Sequence, residues 1–361
     1  MPQNSRTGPL RTSVKRSSVR RHIQDHDRWL WAGVGLGALA AGGAMQAVHM
    51  RRISHDPEHG ALAAPLEGRV RLVPSADGTL LHAEVFGPDD GATVVLAHGW
   101  TEALQFWVYV IRALSERGIR VVAYDHRGHG KSEGAIRGDY RLERFGEDLE
   151  AVLTACVPAG TPAVVAGHSL GAMAIVAWAE HHDVARHVGA AALLNTGVGD
   201  LIAEQLLFPL PQIAQALNRT VATRGLLGNK APLPRFSTPL SSAVIRYVAF
   251  GPDVSPAQVA FYERMLVTCP PDARAKTGIA LSAMDLKHAL PRLTVPTIVI
   301  AGANDRLTPP SHASRIAAQV PDLRRLTVLP DTGHMAPLER PKEVTGALIE
   351  LVALTAEQVV A

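Results

Sequence analysis

Cysteine is scarce in this chain, which has two such residues among 361. Cys156 and Cys269 lie far apart, and neither belongs to the short Cys or His spacings that bind zinc or carry out thiol redox chemistry. We therefore predict two ordinary thiols, with a disulfide between them as the alternative. No motif calls for a metal or an organic cofactor, so we expect the chemistry to depend on amino-acid side chains alone.

A surplus of positive charge is also missing from most of the chain. The formal net charge is +3, but residues 1–60 hold nine Lys and Arg against four Asp and Glu, and the remainder holds 27 against 29. Because the basic residues are not on the main body, this distribution argues against a nucleic-acid partner. Hydrophobic residues make up 47% of the chain and charged residues 19%, which excludes a disordered or fibrous protein and provides for a large buried core.

The N-terminal arm divides into a basic tail and an uncharged segment. Residues 1–28 are rich in Ser and Arg, and we predict that they are disordered. Residues 29–48 form 20 positions without a charge, long enough to cross a bilayer as a helix, although Gly and Ala fill about half of them. We predict a transmembrane or signal-anchor helix over 29–50, with membrane association through 29–48. More positive charge precedes the segment than follows it, which favours a catalytic domain outside the cytoplasm. The alternatives are a cleaved export signal, and a soluble or packed helix in a cytoplasmic protein.

From Arg69 onward, short apolar runs alternate with helical patterns. The first two runs, separated by Ala76-Asp77-Gly78, indicate a β-hairpin. Later runs are rich in Val, Ile and Leu without alternation, which is typical of parallel strands buried on both faces. We predict an α/β fold, a mostly parallel sheet flanked by helices. The predicted strands are Arg69–Pro74, Leu80–Phe86, Thr93–Ala97, Arg120–Tyr124, Ala163–Ala166, Ala190–Leu194, Thr297–Ala301 and Arg325–Leu329, and predicted helices include Phe106–Arg117, Arg144–Cys156, Leu170–His181 and Ser311–Gln319.

The alternation stops between about Gly197 and Leu293. This interval is rich in proline and contains several helix-like segments, and about ninety residues are too many for a loop in a compact domain. We predict a helical cap inserted over the carboxyl edge of the sheet, where ligands bind in such folds. The predicted organisation is a tail over 1–28, the anchor helix over 29–50, a linker over 51–68, the first part of the core over 69–196, the cap over 197–293 and the second part of the core over 294–361.

The clearest catalytic motif is Gly167-His168-Ser169-Leu170-Gly171, between a predicted strand and a predicted helix. A Gly-x-Ser-x-Gly sequence in this context predicts a tight turn that presents a serine nucleophile, and its glycines avoid collisions around a strained backbone. The N-terminus of the following helix favours the negative charge that develops when the serine attacks. We therefore predict that Ser169 is a nucleophile.

A serine hydroxyl needs a base to remove its proton and an acid to orient that base. His334 follows the last predicted strand in a polar loop that contains glycine, and Asp305 follows the preceding strand. The order Ser169, Asp305, His334 is the chain order expected for this fold. Asp331, which lies close to His334 in the sequence, is the alternative acid.

Two backbone N–H groups are needed to stabilise an oxyanion. We predict Leu170 N–H, directly after the nucleophile, and Trp100 N–H, in the loop after the strand Thr93–Ala97. His98 is expected to support this loop through hydrogen bonds rather than to transfer protons. Residues 125–132 contain one Asp and two His, and we interpret their turn-rich spacing as a hydrogen-bonded structural loop, with a metal site as the alternative.

Together these motifs resemble the α/β-hydrolase superfamily over roughly residues 69–355. Within it the chain looks like the capped serine hydrolases, which include monoacylglycerol lipases, esterases and cofactor-free haloperoxidase-like enzymes. The resemblance implies the α/β-hydrolase fold and cleavage of a small-molecule or lipid ester through an acyl-enzyme. Epoxide hydrolases and haloalkane dehalogenases use Asp as the nucleophile, so Ser169 argues against both. The matching segments are His98-Gly99-Trp100, Asp125–Ser132, Gly167–Gly171, Gly302–Asp305 and Gly333-His334.

Three other functions remain open at this point. A peptidase or amidase would use the same triad and would need acidic residues for a substrate amine, for which Glu204 or Glu263 could serve. An acyltransferase would pass the acyl group to an acceptor other than water. A membrane-tethered binding protein with an inert hydrolase fold is the third, although the intact set of triad candidates argues against it.

Overall fold

A computed structural model describes residues 41–201 and 228–360 of the chain. Eight strands form one sheet in the order β1-β2-β4-β3-β5-β6-β7-β8. β1, β2 and β4 pair in antiparallel fashion, and all other neighbours are parallel. This arrangement confirms the predicted α/β fold. The strands are β1 Arg69–Pro74, β2 Leu80–Phe86, β3 Thr93–Ala97, β4 Arg120–Tyr124, β5 Ala163–His168, β6 Val188–Leu194, β7 Thr297–Gly302 and β8 Leu323–Leu329.

The central strands are buried along their whole length, whereas the edges of the sheet are exposed. Every residue of β3 to β7 is buried, which is why their sequences run apolar without alternation. β1 and β8 present several exposed residues, and β8 carries Arg324 and Arg325. Charged side chains on an edge strand discourage pairing with another chain.

Helices cover both faces of the sheet, so the core has two layers. Neighbouring residues of one strand alternate between them: Val95 packs with Phe145 and Trp178 on one face, and Val94 packs with Trp107 and Leu348 on the other. The helices are α1 41–54, α2 His59–Ala63, α3 Val108–Ser115, α4 Leu142–Cys156, α5 Leu170–His181, α6 Val184–His187, α7 Pro239–Ala249, α8 Pro256–Thr268, α9 Pro271–Ala283, α10 Pro310–Ala317, α11 Ala336–Glu339 and α12 Pro341–Val360.

Three helices, α7, α8 and α9, lie between β6 and β7 in the described part of the chain. Each begins at a proline, whose missing N–H is no loss in the first turn of a helix. Thr238 and Ser255 cap α7 and α8 by accepting a hydrogen bond from the backbone three residues on. Residues 202–227 of the interval lie outside the described residues, and the cap over 197–293 stays a prediction.

The prediction of a transmembrane helix is wrong. Among residues 41–201 and 228–360, no helix is both long enough and apolar enough to cross a bilayer. The helix α1 covers the last part of the predicted span, where Gln46 and His49 interrupt a run of small residues and two arginines follow. Polar and small side chains of this kind lower the hydropathy on which insertion into a bilayer depends. Residues 29–40 and the predicted tail over 1–28 lie outside the described residues.

The two cysteines are buried free thiols. Cys156 is the last residue of α4 and Cys269 follows α8. Burial raises the pKa of both thiols, to about 12 for Cys269. Both thiols are therefore protonated at neutral pH, which is the ordinary state predicted from their spacing.

Candidate active site

Ser169 occupies a strained turn between β5 and α5. Its φ of 50° and ψ of −113° lie where non-glycine residues are rare. Added side chains at the flanking glycines would collide with neighbouring backbone: a Cβ on Gly171 would meet the carbonyl of Ala97, and a Cβ on Gly167 would meet the backbone of Ala172. The motif therefore forms the turn that the sequence predicted, with the serine at its apex and partly exposed.

The two predicted oxyanion donors lie in the segments that follow β5 and β3. Leu170 is the first residue of α5, so its N–H lies in the turn of the helix whose donors have no partner within the helix. Among the described residues, neither Leu170 N–H nor Trp100 N–H donates a hydrogen bond. The indole Nε1 of Trp100 donates to the carbonyl of Arg274 at 3.0 Å, which fixes this side chain beside α9. Both predicted groups are thus available as donors.

Asp305 and His334 form a buried pair at the carboxyl edge of the sheet. The Oδ2 atom of Asp305 lies 2.8 Å from Nδ1 of His334, and both side chains are almost completely buried. Asp305 also accepts hydrogen bonds from the backbone of Leu307 and Thr308, from the Thr308 hydroxyl and from the Asn195 amide. A carboxylate with this many donors is held in one orientation, and it fixes the His334 ring in turn.

Burial and charge have opposite effects on this pair. Burial alone would raise the pKa of Asp305 and lower that of His334, because it penalises both charged forms. Burial is the largest single effect, but the attraction and hydrogen bond between the two groups, together with hydrogen bonds from Thr308 and Asn195 to Asp305, outweigh it, so the pKa of Asp305 is lowered and the pKa of His334 is raised. The pair therefore stabilises the cationic imidazole that forms when a base accepts a proton.

The loop that carries His334 is held by a second carboxylate. Glu339 accepts hydrogen bonds from the backbone of Gly251, Gly333 and Met335, at distances of 2.7 to 3.2 Å. Burial raises the pKa of Glu339, although the three backbone donors oppose this. The alternative acid, Asp331, is exposed, and Asp305 is the carboxylate bonded to Nδ1 of His334.

His98 and residues 125–132 form a hydrogen-bonded support. His98 Nε2 accepts from the backbone of His126 at 3.0 Å, and His126 Nε2 lies 2.9 Å from the carbonyl of His98. Asp125 accepts from the backbone of Leu104 and Lys131. Burial, together with neighbouring histidines, lowers the pKa of His98 and His126. No group of three or more metal-binding side chains was found in the described part of the chain.

Four buried residues were not identified from the sequence as part of the site: Glu102, His168, Asn195 and Thr308. Each lies directly after a strand or within a few residues of a predicted catalytic side chain. Asn195, for example, immediately follows β6 and adopts a φ of 46°. A polar residue in that position is a usable signal, because the carboxyl ends of parallel strands meet at one edge.

Two acidic residues, Glu263 and Glu204, were considered for binding a substrate amine. Glu263 lies on α8 and is buried, and its Oε2 atom has no hydrogen-bond partner in the described structure. Glu204 lies outside the described residues.

Comparison with known proteins identifies the family. A family model described as the alpha/beta hydrolase fold matches residues 92–341, so the chain belongs to the α/β-hydrolase family and is a hydrolase of that class. The chain is 29% identical over 279 residues to a putative carbamate hydrolase from Variovorax paradoxus, covering 76% of this chain and 96% of that protein.

Solved structures agree on the fold. An esterase from Exiguobacterium antarcticum superimposes with a TM-score of 0.65 at 22% identity, over 79% of this chain and 100% of that one. An enol-lactonase from Burkholderia xenovorans superimposes with a TM-score of 0.63 at 26% identity, over 78% of this chain and 100% of that one. The predicted membership of the α/β-hydrolase superfamily is thereby confirmed.

Proposed function

We propose that the protein hydrolyses carboxylic esters with Ser169 as nucleophile, His334 as general base and Asp305 as the orienting acid. The observation that carries this proposal is the contact between the two loops. His168, the residue before Ser169, has its Nε2 atom 2.8 Å from the carbonyl oxygen of His334. Because His334 is paired with Asp305 at the same edge, all three candidates lie within one small region.

The proposed reaction has two steps. His334 accepts the proton of Ser169 as the serine oxygen attacks the ester carbonyl, and the N–H groups of Leu170 and Trp100 hold the oxyanion. His334 then donates that proton to the leaving alcohol, and an acyl-enzyme remains. Water attacks the acyl-enzyme in the same way, which releases the acid and restores Ser169.

The helices between β6 and β7 are proposed to form a cap that lines this site. Each of the three helices contacts a loop of the proposed machinery. Ala249 at the end of α7 accepts from His334 N–H at 2.8 Å, Tyr262 on α8 lies 3.2 Å from the Thr101 hydroxyl, and Arg274 on α9 accepts from Trp100. A cap anchored at these three points would set the shape of the acyl pocket.

Support for an ester substrate comes from the similar proteins, whose names describe an esterase, an enol-lactonase and a putative carbamate hydrolase. These names define the substrates to test first: nitrophenyl esters of graded acyl length, a lactone, a carbamate and the matching nitroanilides. Faster cleavage of amides than of esters would favour the peptidase function, for which the buried Glu263 is the candidate amine ligand. Formation of a new ester with an added alcohol would favour acyl transfer.

The first prediction concerns Ser169→Ala. Turnover of every substrate cleaved by the wild type should fall by about five to six orders of magnitude or to the background, because the covalent step is lost. Steady-state release of nitrophenol measures this effect. The matched control is Ser314→Ala, an exposed serine on α10, which should leave the rate unchanged. Wild-type turnover in Ser169→Ala would refute the mechanism.

A further inference from the structure

A second histidine–carboxylate pair lies under the proposed catalytic site. Glu102, in the loop after β3, is 3% exposed, and His168, directly before Ser169, is completely buried. The Oε1 and Oε2 atoms of Glu102 lie 3.0 Å and 3.1 Å from Nδ1 of His168. The His168 ring packs between Phe106 and His334, at centroid distances of 4.6 Å and 4.9 Å.

The partners of this pair determine where its protons are. The other ring nitrogen of His168, Nε2, lies 2.8 Å from the carbonyl oxygen of His334, which can only accept, so Nε2 carries a proton. Glu102 accepts a hydrogen bond from the backbone N–H of Gly99 through Oε2. One further proton is shared between Nδ1 of His168 and the Glu102 carboxyl group. The two side chains are therefore joined by a buried hydrogen bond.

This pair connects the three loops that carry the proposed machinery. Glu102 closes the turn of residues 99–102 and thereby fixes the backbone of Trp100, a proposed oxyanion donor. His168 belongs to the turn of Ser169, and its bond to the His334 carbonyl reaches the loop of the base. The packing is close: a Cβ at Gly99 would lie 2.8 Å from both the Glu102 carboxylate and Nδ1 of His168. The glycine after His98 is therefore required by the pair itself.

We propose that Glu102 and His168 are positioning residues that set the distance between the oxyanion donor at Trp100, the nucleophile and the base. The proposal rests on the function proposed above and extends it to two residues that touch no reacting atom. His334 is then held at its ring by Asp305 and at its carbonyl oxygen by His168. Loss of the pair would loosen the geometry of the transition state more than the binding of the ester.

The test is the Glu102→Gln variant, which keeps the size of the side chain but removes its charge. We expect kcat for nitrophenyl acetate to fall about tenfold to hundredfold, because small displacements of oxyanion donors and base are costly. KM should change by no more than about twofold, since ground-state binding is unaffected. His168→Gln should show a similar loss, and the double variant should be no worse than either single variant if the two residues act as a unit.

The fold offers a matched control. His82 and Glu84 form another buried pair, with Nε2 and Oε1 2.8 Å apart, on β2 near the antiparallel edge of the sheet. Glu84→Gln removes the same kind of interaction away from the site, so it should lower Tm and leave kcat unchanged. An equal loss of kcat in Glu84→Gln and Glu102→Gln would overturn the proposal, because the effect would then be one of stability.

Proton NMR of the wild-type chain with 15N-labelled histidine provides a readout that does not require a folded variant. The proposal predicts a slowly exchanging Nε2–H on His168, assigned through the backbone resonances of this residue, because this N–H donates to the buried carbonyl of His334. Rapid exchange of that proton would overturn it. Failure of the proposed function would look different: the folded wild type would then cleave no ester. A wild type that cleaves esters, beside a Glu102→Gln variant of equal kcat, would refute only the positioning role.

Discussion

Asp305 shows at the scale of single residues how a buried charge can be tolerated. Its carboxylate accepts from Asn195, Leu307, Thr308 and His334, so its desolvation is offset by several hydrogen-bond donors. This environment lowers the pKa of Asp305 and raises that of His334. A base must be neutral to accept a proton, so activity should fall as the pH drops through the raised pKa of His334.

Asp305→Asn tests this account. With the negative charge removed, burial is opposed by less attraction and the pKa of His334 should fall, so the acid limb of the profile of kcat/KM against pH should move to lower pH. At the optimum, kcat should decrease by about four orders of magnitude because the imidazolium loses its partner. Asp331→Asn, at the exposed alternative acid, is the control and should change neither. A wild-type profile in Asp305→Asn would contradict the assignment.

Single residues also show what could be predicted from the sequence. The positions of Ser169, Asp305 and His334 at one edge of the sheet were predictable because each follows a strand of its parallel part, and parallel strands end at the same edge. Glu102 and His168 were not, although His168 lies inside the motif. Their contact depends on how closely two loops separated by 66 positions approach each other, and no periodicity in the sequence records that distance.

At the scale of secondary-structure elements, the strands were predictable and the ends of several helices were not. Continuous apolar runs give the bounds of β3 and β4 because both faces are buried. The predicted helix Phe106–Arg117 instead begins as a 3-10 turn over Leu104–Trp107 and continues as α3 to Ser115. The carboxylate of Asp125 accepts a hydrogen bond from the backbone N–H of Leu104, so the 3-10 turn begins earlier than predicted. This tertiary contact cannot be recognised in the local sequence.

A buried ion pair holds these elements together away from the catalytic site. Arg127, in the loop after β4, donates to both oxygens of Asp148 on α4, at 2.7 Å and 2.6 Å, and also to Asp77 in the β1–β2 turn. The side chains of Arg127 and Asp148 are fully buried. Removal of the Asp148 charge leaves buried Arg127 with Asp77 as its remaining ionic partner, so its charge is only partly compensated.

Asp148→Asn should therefore lower the free energy of unfolding by about 3–5 kcal/mol, because the Arg127 guanidinium stays buried with a weaker acceptor. Urea denaturation followed by circular dichroism measures this change. The control is Asp272→Asn, at an exposed pair with Lys230, which should change stability little since water screens such pairs. Equal effects of the two substitutions would show that the contribution of the Arg127 pair to the free energy of unfolding does not depend on its burial.

At the scale of the whole molecule, the faces of the sheet carry the apolar core and one edge of the sheet carries the candidate site. Two apolar layers cover its faces, and the polar residues of the candidate site gather where β3, β5, β6, β7 and β8 end. The alternation of strands and helices made this architecture predictable. The transmembrane prediction failed because it counted an uncharged length, whereas no helix within residues 41–201 and 228–360 is both long enough and apolar enough to cross a bilayer.

Covalent labelling of the full-length protein by a fluorophosphonate tests the central claim most directly. Peptide mass spectrometry should find one adduct, on Ser169, in the wild type, much slower labelling in His334→Ala, and none at this site in Ser169→Ala. These results would establish an activated serine that depends on His334. A folded wild type that stays unlabelled, or one labelled at the same rate after loss of Ser169 or His334, would contradict the account.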